Sequence, residues 1–382
     1  MKIRYFLIIF ILIQLFSCQE EFFIDSDKYE EFLVVDGFIT NNPGPYKITL
    51  SKSSKTDAPQ TIPYTGCIVQ IIDDIGNTEI LSEESPGIYS TVSPGFRGIV
   101  GNSYKLSVIT NEDKCYETDY QEIKDIIEID TVYHEQTTFR DSQFPYGLPG
   151  LRFYVDTKES IVNENYFLWT MNETYEYDID HRLAYVEDRF GDYIYSNPRY
   201  DTLVTCWASN IVKDIYVGKT ENLSAPHILR QPINFVGTNS KRLTKKYSLL
   251  VNQYVISQSA YNYWYNIQQM IAKEDFFTSR QPFNVKGNLV NCNNENEIVL
   301  GYFSVASISQ KRIFADKLFV PFYYSKCLVI TDRVAISDWK RNHSSPYYWV
   351  QAEDGTNGIT YKQCIDCRNE GGQLQKPEFW ID

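Results

Sequence analysis

The sequence predicts a mainly-β chain: an N-terminal immunoglobulin-like or transthyretin-like β-sandwich, then a larger β-rich domain with one amphipathic helix. Three observations predict this. From residue 32 onward, apolar and polar residues alternate in short runs cut by Gly, Pro and Asn, the period-two signature of half-buried strands. Aromatic residues make up 15% of the chain, with 30 Tyr, and such side chains favour pleated, half-buried faces. One stretch alone carries convincing helical spacing.

In the first domain, residues 32–125, a hydrophobic strand from Phe32 to Thr40 is broken by Asn41-Asn42-Pro43-Gly44. Tyr46, Ile48 and Leu50 then alternate with polar residues, and Cys67, Val69 and Ile71 share one face of the next strand. The turn from Asp73 to Asn77 leads into a strand through Leu81. Ile88 to Val92, then Tyr104, Leu106 and Val108, continue the period, and a turn at residues 111–114 enters Cys115-Tyr116. About seven strands at this spacing fit a sandwich.

The second domain, residues 126–382, is set off by the Tyr120 to Asp130 connection. Strands are expected at Leu151 to Asp156, Tyr166 to Met171, Tyr247 to Ile256 and residues 299–306. Glu173 to Tyr200 reads as a polar, Tyr-rich insertion. The helix is expected near 257–273, with Ser257 as N-cap and Ala260, Tyr263, Trp264, Ile267, Met270 and Ile271 as one apolar stripe that packs on a sheet.

Residues 1–17 read as a lipoprotein signal peptide. Lys2 and Arg4 are basic, Phe6 to Phe16 is apolar apart from one Gln, and Leu15-Phe16-Ser17-Cys18 resembles a lipobox. Eleven residues are too few for a membrane span, which needs about 20. Cleavage before Cys18 would leave an acylated cysteine, and two or three acyl chains suffice for stable anchoring. The alternatives are an ordinary secretory signal with an incidental Cys18, or a buried N-terminal helix. Residues 18–31 form the tether. Gln19, Glu20 and Glu21 resemble the acidic signal that exports lipoproteins of the Bacteroidota to the cell surface.

The formal charge is −13, and losing Lys2 and Arg4 with the leader moves it to about −15. With no basic run, nucleic acid is disfavoured as a partner. Eight cysteines in an exported chain point to disulfides, and acylation of Cys18 leaves seven. Cys67 and Cys115 are expected to bridge strands of the first domain, closing a loop of about 49 residues worth roughly 3–4 kcal/mol. Of Cys206, Cys292, Cys327, Cys364 and Cys367, one is expected to remain free. Cys364-x-x-Cys367 reads as a disulfide clasp for a Cys-rich tail; it lacks a redox motif's strand-to-helix setting and a second CxxC to complete a metal cage.

Motifs that carry chemistry are few. His134, His181, His227 and His343 are far apart and expected in solvent-facing loops, and no Gly-x-Ser-x-Gly elbow marks a nucleophile. Asp178, Asp180, Glu187, Asp188 and Asp192 match no calcium loop and read as a solvated acidic segment, so neither a metal nor a cofactor is expected. The interleaved Tyr175, Tyr177, Tyr185, Tyr193, Tyr195 and Tyr200 are the ligand-contact candidates, because Tyr gives stiff, amphipathic contact area. Packing over a sheet is the expected fate of at least half of them. Asp130-Thr131-Val132 and Asp201-Thr202-Leu203 resemble an O-glycosylation motif.

The chain also resembles a family of Bacteroidota outer-membrane lipoproteins catalogued as domain-of-unknown-function family 4249. The residues that carry the resemblance begin with Leu33-Val34-Val35-Asp36-Gly37, Pro86-Gly87-Ile88-Tyr89, Gly101-Asn102-Ser103-Tyr104 and Cys206-Trp207. Tyr261-Asn262-Tyr263-Trp264, Gly287-Asn288, Gly301-Tyr302-Phe303 and Cys364-Ile365-Asp366-Cys367-Arg368 follow. Gly371-Gly372, Lys376-Pro377 and Phe379-Trp380 complete the set. Cys67, Cys115 and Cys292 fall outside that pattern, which favours a private Cys67–Cys115 bridge. The resemblance implies a surface lipoprotein encoded beside a TonB-dependent outer-membrane transporter. The expectation is therefore a binding or accessory component anchored in the outer membrane by acyl chains, with no evident catalysis and a ligand not named by the sequence. A hydrolase of surface glycans or peptides and a structural or adhesive protein are the rivals.

Overall fold

The computed structural model describes residues 31–54, 60–92, 95–195, 203–273 and 285–381. The leader, Cys18, Gln19, Glu20, Glu21, Tyr200 and Thr202 lie outside these residues. The chain is mainly β, as the alternation implies. One sheet path runs through most of it, from Thr205–Lys219 at one edge to Leu289–Asn291 at the other.

Leu300–Ala315 organises the molecule. Its first half, Leu300 to Ala306, pairs in parallel with Val34 to Thr40 of the first strand, Leu33–Thr40. Its second half, Ser307 to Ala315, pairs antiparallel with Tyr247–Ile256. Tyr247–Ile256 pairs in turn with Tyr166–Asp178, which pairs with the edge strand Thr205–Lys219. Strand character expected at 299–306 therefore continues nine residues further, and both lobes hang on one element.

In the first lobe, strands alternate as read: Ile48 and Leu50 of Lys47–Lys52, Val69 and Ile71 of Ile68–Asp73, and Leu106 and Val108 of Ser103–Ile109 are all buried. They share one core with Val35, Tyr89 and Tyr116, and Phe303 and Leu289 enter it from the far end of the sequence. Burying each such side chain contributes about 1.5–3 kcal/mol relative to exposure.

The second lobe sets the central sheet against a three-stranded sheet of Ile129–Phe139, Leu148–Thr157 and Gln231–Gly237. Phe167, Trp169, Met171, Leu249 and Val251 meet Phe153, Val155 and Ile233 between them. Inside this core Trp169 Nε1 donates to Gln253 Oε1 at 2.9 Å, and Gln253 Nε2 donates to the Ile127 carbonyl at 2.7 Å, so both buried amide groups are satisfied. Helix α1, Gln258–Lys273, forms where its spacing predicts, and Ser257 Oγ accepts from Ala260 N at 3.2 Å as an N-cap. Ala260 is buried and Tyr263 and Trp264 are half-buried on the sheet, whereas Ile271, at the far end of the stripe, is exposed.

Two readings of secondary structure are corrected. The strand expected to end at Met171 runs to Asp178, because the polar Glu173 is buried with Tyr247 and Arg242 as partners rather than solvated. A second helix, α2 (Arg333–Asn342), is capped by Asp332, whose carboxylate accepts from Val334 N and Ala335 N. None of its residues is fully buried, and Ala335, Ile336 and Trp339 make only a short half-buried stripe.

Disulfide connectivity corrects three expectations. The bonds are Cys115–Cys292, Cys206–Cys367 and Cys327–Cys364, and Cys67 is free. Cys67 and Cys115 cannot meet because Ser103–Ile109 lies between their strands. Two strand spacings are about 9–10 Å, beyond the Cα separation of a disulfide. Leu289–Asn291 pairs with Cys115–Thr118 and delivers Cys292 to 5.4 Å, Cα to Cα. The unpaired thiol therefore falls in the first lobe, not among the five later cysteines. Cys364 and Cys367 clasp the tail through separate partners rather than through each other.

Candidate functional site

The tyrosines singled out in the sequence divide between two places. Tyr175 and Tyr177 sit on Tyr166–Asp178, and Tyr177 is buried with its hydroxyl donating to the Cys367 carbonyl at 3.0 Å. Tyr175 is half-buried beside it, ring centroids 5.5 Å apart. These two are packing residues.

Tyr185 and Tyr193 belong to a separate four-stranded sheet, in the order Tyr193–Tyr195, Leu183–Glu187, Tyr347–Gln351, Asn357–Thr360. Tyr195 lies on it in register with Tyr185, though its side chain is outside the described residues. The register also sets Tyr185 opposite Trp349 and Glu187 opposite Tyr347, so these side chains share a face. The Tyr185 ring lies 5.4 Å from Trp349 at 21°, and Tyr193 meets Tyr185 edge-on at 4.9 Å. Tyr193 is 58% exposed and Phe190, on the adjoining turn, 74%. Burial pushes the Tyr185 phenol up, with smaller contributions from Tyr193 and Glu187, so it remains a protonated donor at neutral pH.

An ion pair between half-buried Lys340 and buried Glu187 fixes this face. Lys340 Nζ, reaching from α2, lies 2.5 and 2.7 Å from the two Glu187 oxygens, and Trp349 Nε1 donates to Glu187 at 2.7 Å. The same ammonium stands 5.2 Å from the ring centroids of both Tyr347 and Trp349, a cation–π arrangement. The Trp339 ring stacks on His343 at 4.0 Å and meets Tyr361 at 4.3 Å. One flank of the aromatic face is thus covered by α2, and among the described residues the Tyr193 flank is open. Sequence reading missed Trp349, Tyr347 and Lys340, although the run Tyr347-Tyr348-Trp349 was a signal.

The acidic residues are drawn into local structure. Asp178 accepts from Thr205 and Lys245, and Asp180 accepts from Cys327 N and pairs with Lys241 at 3.3 Å. Asp188 accepts from Phe190 N and Asp192 N, shaping the turn in which Gly191 adopts φ +88°. Among the described residues no three His, Cys, Asp or Glu side chains converge as metal ligands would.

The histidines are also dispersed. His134 is a correction to the loop expectation: it sits within Ile129–Phe139 opposite Phe153, and burial holds its imidazole below the ordinary range and so neutral. His181 contacts the Cys327 carbonyl at 2.9 Å, beside the Cys327–Cys364 bond. Among the described residues His227 Nδ1 is buried without a partner.

A family model described as Domain of unknown function (DUF4249) matches residues 19–312. The aromatic face lies half inside this span and half beyond it. No curated protein matches the chain.

Proposed function

Because the chain belongs to the DUF4249 family, we propose that it is a surface-exposed outer-membrane lipoprotein that binds rather than catalyses, acting as an accessory component of a TonB-dependent transporter. The observation that carries the binding reading is the half-open aromatic face of Tyr185, Tyr193 and Trp349. A stiff aromatic surface offers contact area with little loss of rotamer entropy, which suits recognition. The lipidated location is supported by the leader, which ends just before Cys18, and by Gln19 and the acidic Glu20 and Glu21 behind it.

The test is mild crosslinking in cells, followed by purification of the full chain from outer membranes. The expected result is an acylated Cys18 by mass spectrometry and a TonB-dependent barrel as the main crosslinked partner, reduced at least fivefold by Tyr193→Ala. An unmodified amino terminus on freely soluble protein would overturn the anchored reading. Absence of any barrel would overturn the transporter reading.

A further inference from the structure

The first strand, Leu33–Thr40, turns Val35 and Ile39 into the core of the first lobe and Asp36 and Phe38 to the opposite face. Register places Asp36 between Tyr302 on one neighbouring strand and Thr49 on the other, so the three side chains share that face. Helix α1 packs on the same face and makes an inner corner of it. Its Tyr263 ring lies 4.8 Å from Tyr302 and 5.2 Å from Trp264, and Trp264 Nε1 donates to Ser304 Oγ, opposite Phe38 in register, at 3.5 Å. Phe38 continues the aromatic row, its ring 4.6 Å from Tyr254.

Asp36 is the anomaly of this corner. Its side chain is exposed, yet the surrounding walls raise its carboxyl above the ordinary range. Burial is the sole cause of that rise: among the described residues no cation and no hydrogen-bond donor acts on this carboxylate. A charge short of water and without a partner is costly. The Tyr302 hydroxyl, which could have relieved it, donates instead to Ser259 Oγ at 3.1 Å. Burial and then the Asp36 charge push the Tyr263 phenol up to about 12, so the ring stays neutral beside the carboxylate. A cation seated here meets a carboxylate on one side and aromatic rings on the other, and both attract it. One carboxylate is too few oxygens for calcium, which takes about six to eight ligands.

We propose that this corner binds an organic ammonium group on an alkyl stem, that of a free amine or of a lysine side chain. The ammonium donates to the Asp36 carboxylate and to Thr49 Oγ1, and the stem lies along the Tyr263 and Phe38 rings. The net charge of the chain, −13, draws cations toward it. The corner shares no residue with the Tyr185 face and does not depend on it.

The test is saturation-transfer NMR on the full lipidated chain in a nonionic detergent at fixed ionic strength. The probes are 4-aminobutanol and Nα-acetyl-lysine amide, both cationic at neutral pH, with 1,4-butanediol as the uncharged control. The expected result is transfer to at least one cation and none to the diol. Asp36→Asn should weaken it at least tenfold while Tm stays equal or rises, because the variant removes an uncompensated charge. Tyr263→Leu should weaken it at least threefold and Tyr263→Phe should not, since the phenyl ring keeps the cation–π contact. Either cation binding more tightly supports the proposal, and the stronger of the two identifies the source of the ammonium. Silence from both cations, equal transfer to the diol, or undiminished binding in folded Asp36→Asn would overturn it.

Discussion

Gly301 lies directly against the Val35 carbonyl: with φ at +82°, a Cβ at this position would stand 1.9 Å from that oxygen. The parallel seam between the first strand and Leu300–Ala315 therefore needs glycine twice over, for its backbone conformation and for its lack of a side chain. Gly301→Ala should cost about 3 kcal/mol or more, combining backbone strain with overpacking. Gly191 also has positive φ but nothing within 4 Å, so Gly191→Ala should cost only about 1 kcal/mol, from strain alone. Urea unfolding midpoints of the two variants check this, and equal losses would contradict it.

Peptide mapping without reduction should recover Cys115–Cys292, Cys206–Cys367 and Cys327–Cys364, with Cys67 as the alkylatable thiol. Burial pushes the Cys67 thiol above its ordinary value, which reduces the reactive thiolate. Its alkylation rate should rise with pH to an inflection above 9.0, the ordinary value, and jump on unfolding. An inflection at or below that value would count against this environment.

Removing Glu187 leaves the half-buried Lys340 without its carboxylate and Trp349 Nε1 without an acceptor. Glu187→Ala should destabilise the small sheet and α2 by about 2 kcal/mol. Hydrogen exchange should accelerate across residues 333–361 and leave the first lobe unaffected; uniform protection in that segment would refute the assignment.

Acid should loosen the tail at Asp366. Arg368, through its guanidinium and then its backbone N–H, holds this buried carboxyl below its ordinary value. The unfolded chain then takes up the proton more readily, so ionised Asp366 stabilises the fold above about pH 4. That contribution disappears as pH falls through the lower folded value. Limited proteolysis of residues 364–381 should show this acid step in the native chain and lose it in Asp366→Asn.

What could be read from the sequence was local. Alternation located the first-lobe strands, and the stripe beginning at Ala260, with Ser257 before it, located α1, because both are periods within one element. Glu173 misled because its burial depends on Arg242 and Tyr247, which arrive some seventy residues later. Disulfide partners were illegible for the same reason: the intervening strand that separates Cys67 from Cys115 is visible only once the sheet is assembled. At the aromatic face, Tyr185 and Tyr193 were legible as residue types, but Trp349 joins Tyr185 through a strand register that spans 164 residues of sequence.

The first strand of the folded protein has one neighbour near it in sequence and another that begins at Leu300. A chain that crosses a membrane amino terminus first would present Leu33–Thr40 long before that second neighbour appears. Its free edge is then a hazard for mispairing. Any amino-terminus-first delivery thus leaves that edge unpaired until the last quarter of the polypeptide has emerged.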